Sequence, residues 1–176
     1  MEETTPQVIE TAVRYSGKVL RVRNDRIAKP GGTPRERDVV EHPDSVCGVA
    51  RLADGSVILV RQYRHPAGAY LWELPAGKID PGETPAEAFA RELVEECGVQ
   101  CGTLRLAVTF FTSPGILTER MHVFVAEGCT TGADGVNEGE IARWISVSLD
   151  EAESMISRGE IVDAKTIVGI TWAARG

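Results

Sequence analysis

Glu92, Glu95 and Glu96 are the first residues in this chain whose type and spacing could do chemistry. On a helix, Glu92 and Glu96 stand four residues apart, so their side chains are neighbours. Like charges at that spacing destabilise a helix by roughly a few tenths of a kcal/mol. An ordinary solvated acidic face, with Arg91 pairing to Glu95 one turn on, would account for them. A hard divalent cation would account for them too. Magnesium takes oxygen ligands, keeps several of its waters, and suits one or two carboxylates together with substrate phosphates. The three residues alone do not separate the two readings.

Those side chains need a helix, and the sequence supplies its ends. Thr84-Pro85-Ala86-Glu87 puts threonine at the cap, proline at the first helical position and glutamate at the third, a full start signal. Gly98 suits a left-handed stop. The predicted helix is Pro85–Cys97. At about 100° per residue, Phe89, Leu93, Ala86, Cys97, Ala90 and Val94 share one arc, the expected buried face. Glu92, Glu95 and Glu96 fall on the opposite side, within about a further 100°. Ahead of the helix a strand ends at Ala76-Gly77, and Lys78-Ile79-Asp80-Pro81-Gly82 forms a tight loop. Such a loop can aim a carbonyl and several N–H groups at one point near the glutamates.

The rest of the chain reads as strands with helices interspersed and then terminal. Short stretches at Val13–Tyr15, Val19–Val22 and Asp38–Glu41, with a turn at residues 30–34, predict a small antiparallel sheet over residues 1–42. The main domain, 43–176, begins with strands Val46–Leu52 and Val57–Gln62 joined by Asp54-Gly55, a hairpin signal. Further strands are expected at Tyr70–Pro75, Leu104–Phe111, Met121–Ala126 and Ile141–Val147. Ser148-Leu149-Asp150-Glu151 caps a helix to about Arg158, and a last helix spans about Ala164–Ala174. This order predicts an α+β fold with helices packed over a mixed sheet.

Composition narrows the class. The 176 residues suffice for one domain with a full core and an appendage. A net charge of −7 disfavours nucleic acid as a partner. No apolar run approaches the ~20 residues of a membrane span, and the acidic N-terminus does not read as a signal peptide, so a cytoplasmic protein is expected. Cys47, Cys97, Cys101 and Cys129 include no C-x-x-C pair, and His42, His65 and His122 are scattered. Reduced core thiols are expected rather than a zinc site.

The stretch Gly77 to Val99, GKIDPGETPAEAFARELVEECGV, resembles the Nudix box, G-x5-E-x7-R-E-U-x-E-E-x-G-U with U apolar. Gly77, Glu83, Arg91, Glu92, Leu93, Glu95, Glu96, Gly98 and Val99 occupy all its fixed positions. The flanking VRQYRHPAGAYLWELPAG and FFTSPGILTERMHVFVAEG are similar to the ADP-ribose pyrophosphatases of the family, whose marker proline matches Pro114, 15 residues after Val99. The resemblance implies an α/β/α Nudix sandwich around a mixed sheet. It also implies an N-terminal sheet that serves a homodimer and helps build the partner's substrate site. It implies Mg²⁺ (or Mn²⁺) held by Glu92, Glu96 and the Ala76 carbonyl, with Glu95 a further catalytic or water-mediated acid. Glu83 and Arg91 would lock the loop to the helix. A catalytic carboxylate is expected on the loop before Ile141, where both Glu138 and Glu140 match and Glu140 is favoured. Arg64 matches a phosphate contact and Glu73 a ribose-contacting or metal-proximal acid. Pro114 and Gly115 would shape the loop over the terminal ribose, with Glu119 in reach. The chain departs from some relatives in offering only Tyr15 as an N-terminal aromatic to stack a base.

By that resemblance the expected reaction is hydrolysis of ADP-ribose to AMP and ribose 5-phosphate. A pyrophosphatase for another nucleoside diphosphate sugar or dinucleotide, such as GDP-mannose or NADH, stays open, although the S-Q-P-W motif of the NADH-cleaving group and the coenzyme A signature are absent. A non-catalytic Nudix ligand sensor stands further off, since all the box acids are present.

Overall fold

Val57-Ile58-Leu59-Val60 is apolar at every position, so a strand built from it must be covered on both faces. The computed structural model, which describes residues 5–29, 31–132 and 141–175, shows that arrangement. Strands β1 (Val8–Ser16), β2 (Arg21–Ile27) and β3 (Arg35–Glu41) form a three-stranded antiparallel sheet. The larger, mixed sheet contains β4 (Ser45–Leu52), β5 (Val57–Arg64), β6 (Ala69–Glu73), β7 (Ala76–Lys78), β8 (Val99–Gln100), β9 (Thr103–Phe111), β10 (Arg120–Thr131) and β11 (Ile141–Val147). Its central order is β11-β5-β4-β10-β8, with β6 paired to β5, β7 to β4 and β9 to β10. β4 and β10 run parallel. Helices α1 (Pro85–Cys97), α2 (Leu149–Ser157) and α3 (Ala164–Ala174) complete the fold.

Two compact units result. One contains residues up to Asp44 together with Phe111–Arg120, and the other contains Ser45–Phe110 and the chain from Met121 onward. In the first, buried Asp25 accepts hydrogen bonds from Thr11 Oγ1 (2.8 Å) and Arg23 Nε (3.1 Å). The 112–119 loop is tied to β3 by Val40 N–H to the Ile116 carbonyl (2.7 Å) and Thr118 N–H to the Val40 carbonyl (3.0 Å).

In the second unit the strand period of two divides the core. Ile58 and Val60 face Phe89 and Leu93 of α1. Val57 and Leu59 face Ala152 and Met155 of α2 and Ile170 and Ala173 of α3. The sheet is therefore sandwiched between α1 and the α2/α3 pair. α1 begins and ends where the sequence places it, with a reciprocal Thr84–Glu87 capping box and Gly98 at φ 64°. Its buried face is rotated from the expected arc. Val94 is exposed, Ala88 is buried, and Glu96 is buried with Phe89 and Leu93. The acids border the core instead of lying opposite it. The short strands β7 and β8 were not legible in the sequence, and β10 extends to Thr131.

Close packing of α1 on β4 depends on Gly48. A Cβ there would stand 2.5 Å from the Phe89 ring and 2.6 Å from the Phe124 carbonyl oxygen. Gly48→Ala should destabilise the fold by about 1–3 kcal/mol. The readout is the urea midpoint, and an unchanged midpoint would mean that α1 does not seat on β4 this closely.

Candidate active site

β7 lies antiparallel to β4, with Ala76 opposite Cys47 and Gly77 opposite Val46. α1 passes over it so closely that a Cβ on Gly77 would stand 1.8 Å from Glu92 Oε1. Glycine is needed here for room, because the Glu92 carboxylate fills the space a side chain would take. One turn on, Glu96 Oε2 accepts the Ala76 N–H at 3.0 Å. The two carboxylates, neighbours on the helix, thus converge on the backbone of Ala76-Gly77.

Arg91 fixes the loop to this helix. Its Nε and Nη2 donate to Glu83 (2.8 and 3.0 Å), Nη2 also to the Lys78 carbonyl (3.1 Å), and Nη1 to Glu92 Oε1 and Glu95 Oε2 (both 2.9 Å). These bonds, first among them the one to Glu83, raise the guanidinium's proton affinity and hold Glu83 below the usual carboxylate range. Glu95 turns toward Arg91 with its side chain 45% exposed, so the one-turn Arg91–Glu95 pair expected of an ordinary acidic face is also present.

A second group adjoins the acids. Arg64 Nε and Nη2 donate to the two oxygens of Glu73 at 2.8 and 2.7 Å. Glu73 is 1% exposed and also accepts from Lys165 Nζ at Oε2. Burial pushes the Glu73 carboxyl up, but the Arg64 hydrogen bonds and the Lys165 charge outweigh it and leave it ionised, below its ordinary range. Lys165 was not singled out by sequence reasoning. The available signal was that it is the one charged residue in the apolar helix Ala164–Ala174.

Glu96 responds to all of these groups. Burial pushes its carboxyl up, the Ala76 N–H opposes this, the Glu92 charge adds to it, and Arg64 and Lys165 oppose it; the result is about 8. Glu92 is also raised, chiefly by burial. One buried and one half-buried acid with raised proton affinity are short of positive charge. Among the described residues, no three His, Cys, Asp or Glu side chains converge as a ready metal cage. Two carboxylates and a backbone carbonyl nevertheless fit a hard cation that completes its shell with water and phosphate oxygens. Glu92, Glu96 and the Ala76 carbonyl are the groups that would hold it.

Pro114, Gly115 and Glu119 belong to the other unit. Pro114 and Gly115 line a cavity of about 300 Å³ with Val39, Phe111 and Ile116. Glu119 accepts from Thr112 Oγ1 (2.8 Å) and lies 3.5 Å from His42 Nδ1. Glu138 and Glu140 lie outside the described residues. The cysteines are free, and burial pushes the Cys47 thiol up to about 12.

A model of the NUDIX domain matches residues 41–167. The chain belongs to the Nudix family. Curated relatives agree over nearly its whole length. It is 37% identical over 97% of its residues to a Mycobacterium tuberculosis protein named ADP-ribose pyrophosphatase, covering 84% of that protein. It is 34% identical over 90% to a Bacillus subtilis protein of the same name, covering 86% of it. It is also 34% identical over 94% to a Bacillus methanolicus protein named methanol dehydrogenase activator, covering 91% of it. A solved structure described as an ADP compounds hydrolase superposes with a TM-score of 0.85 over 99% of this chain and 95% of that one, at 18% identity, and shows the same fold. The chain is a Nudix hydrolase, and the acid pair at Ala76-Gly77 is built from its Nudix box.

A folded-state pKa pushed up to about 8 for Glu96, against an ordinary 4.5, fixes the sign of a pH effect. Between those values the folded protein binds more protons than the unfolded chain, so this group's stabilisation is full at the acid end and is lost as pH rises. Glu73, with a lowered pKa, acts below this window. The metal-free Nudix hydrolase should therefore lose Tm as pH is raised from about 5 to about 8. Mg²⁺ should flatten that dependence and release a proton on binding, measured by calorimetry in buffers of different ionisation enthalpy. Metal binding without proton release would contradict the buried state of Glu96.

Proposed function

We propose that this Nudix hydrolase cleaves the pyrophosphate of ADP-ribose, with Mg²⁺ (or Mn²⁺), to AMP and ribose 5-phosphate. The observation that carries the reading is the convergence of Glu92 and Glu96 on Ala76-Gly77, with Arg64 beside them. Choice of substrate rests on the relatives named ADP-ribose pyrophosphatase. Proteins named GDP-mannose pyrophosphatase also match, at 32% and 34% identity, which makes another nucleoside diphosphate sugar the alternative.

Water adds to one phosphorus and the bridging P–O bond breaks. The leaving group is a phosphate monoester, which needs charge neutralisation more than protonation. A cation at Glu92 and Glu96 would supply that neutralisation and lower the pKa of attacking water. Arg64 suits a phosphate by its two-pronged geometry, and Arg91 keeps Glu92 and the 78–83 loop in place. The proton lost by water is assigned to a carboxylate, Glu140 or Glu138 of residues 134–140 or Glu95 of α1. Pro114, Gly115 and Glu119 are assigned to the ribose end of the substrate. The chain works as a cytoplasmic homodimer. In support of a second copy, Val8, Ile9, Val13 and Tyr15 of β1 are exposed apolar side chains.

Purified protein with Mg²⁺ should convert ADP-ribose to AMP and ribose 5-phosphate faster than GDP-mannose, NADH or a diadenosine polyphosphate, as read by chromatography. Faster cleavage of another member would retain the chemistry and replace the substrate. Glu96→Gln should retain its circular dichroism spectrum while turnover drops by about two orders of magnitude or more. A folded variant with wild-type turnover would remove Glu96 from the site.

A further inference from the structure

We propose that Lys165 is a positioning residue for substrate binding, acting through the buried carboxylate of Glu73 to set the orientation of Arg64 and its availability to a phosphate. Arg64 and Lys165 grip the same carboxylate, Arg64 through both oxygens and Lys165 at Oε2. Lys165 is itself only 12% exposed and is held at 3.0 Å by Asp163 Oδ2. Arg64, Lys165, Glu73 and Asp163 sum to no net charge. Without Lys165 the cluster carries an uncompensated negative charge, and Arg64 alone must neutralise Glu73. A guanidinium so committed is withheld from an incoming phosphate. With Lys165 present, Glu73 keeps a second cation when Arg64 turns toward substrate.

The next residue on α3 separates this role from simple scaffolding. Thr166 Oγ1 accepts the Leu74 N–H at 2.9 Å and donates to Asp163 Oδ2 at 2.6 Å. Gly169, where a Cβ would stand 2.5 Å from Leu74 Cδ1, lets the helix approach. Adjacent residues of α3 thus hold adjacent residues at the end of β6, Thr166 through the backbone and Lys165 through the charge next to the acid pair.

The inference rests on the pyrophosphatase reading, which the wild-type substrate panel tests separately. The variants are compared on whichever member the wild type cleaves fastest, so a wrong substrate does not count against Lys165, whereas a wild type that cleaves none overturns both. Lys165→Met should raise KM about tenfold or more while kcat stays within about threefold, the signature of lost binding that is uniform between ground and transition states. Mn²⁺ affinity of the substrate-free protein, read by electron paramagnetic resonance, should change far less than KM does. Lys165→Arg should recover most of the KM. Thr166→Val should lower Tm with little change in KM. An unaltered KM in Lys165→Met overturns the proposal. So does a joint fall of kcat, Mn²⁺ affinity and Tm that Lys165→Arg does not recover, since that marks a scaffold. Should Lys165→Met not fold, the neutral Lys165→Gln protein, which keeps Glu73, decides. A raised KM supports the role and a wild-type KM refutes it.

Discussion

Everything at the site depends on how closely α1 can approach the backbone of β7. A single missing Cβ, at Gly77, allows the Glu92 carboxylate to lie where a side chain would stand, and the Ala76 N–H draws in Glu96 one turn later. Two acids at that spacing would ordinarily point into water and repel each other weakly. Here burial makes their charge costly, and the protein answers with cations at the margin, Arg91 on one side and Arg64 with Lys165 on the other. None of these neutralises Glu96, whose proton affinity stays high. The site is left short of positive charge at the place where a phosphate-bearing ligand and its cation would bring it.

The sheet makes this arrangement stiff. β5 is buried on both faces, so α1 and α3 are anchored from opposite sides of one layer. The β6–β7 connection lies between them, held by Glu96 at Ala76 and by Thr166 at Leu74. A side chain placed on this connection inherits its position from both helices, which is the support that precise sites require.

Much of this was legible in the sequence because local rules and the box agree. Thr84, Pro85, Glu87 and Gly98 delimit α1 through capping chemistry that needs no tertiary information. The hairpin at Asp54-Gly55 and the doubly apolar β5 follow from turn residues and strand period. The buried face of α1 differs from the expected arc because Glu96 is charged, and a count of apolar residues places charge on the outside. Its burial is set by β7, a strand of three residues that no pattern announces. Lys165 was missed for a related reason. Its partner lies 92 residues away, and only the fold brings a lone lysine on an apolar helix to a buried glutamate. Arg64 and Glu73 each carry a signal in the sequence, but no pattern there pairs them with one another.

That separation along the chain divides the site into a near half and a far half. Glu96 and Ala76 are 20 residues apart, whereas Glu73 and Lys165 are 92 apart. Closing the longer loop costs about 1.4 kcal/mol more in chain entropy, and the intervening strands must already be in order for it to close. A chain that has paired β7 with β4 and docked α1 already holds its acid pair. Such a partly folded molecule has the groups for a cation and lacks the complete grip on Arg64. The groups that would hold a cation therefore rest on contacts near in sequence, whereas the complete grip on Arg64 rests on the distant contact made by α3.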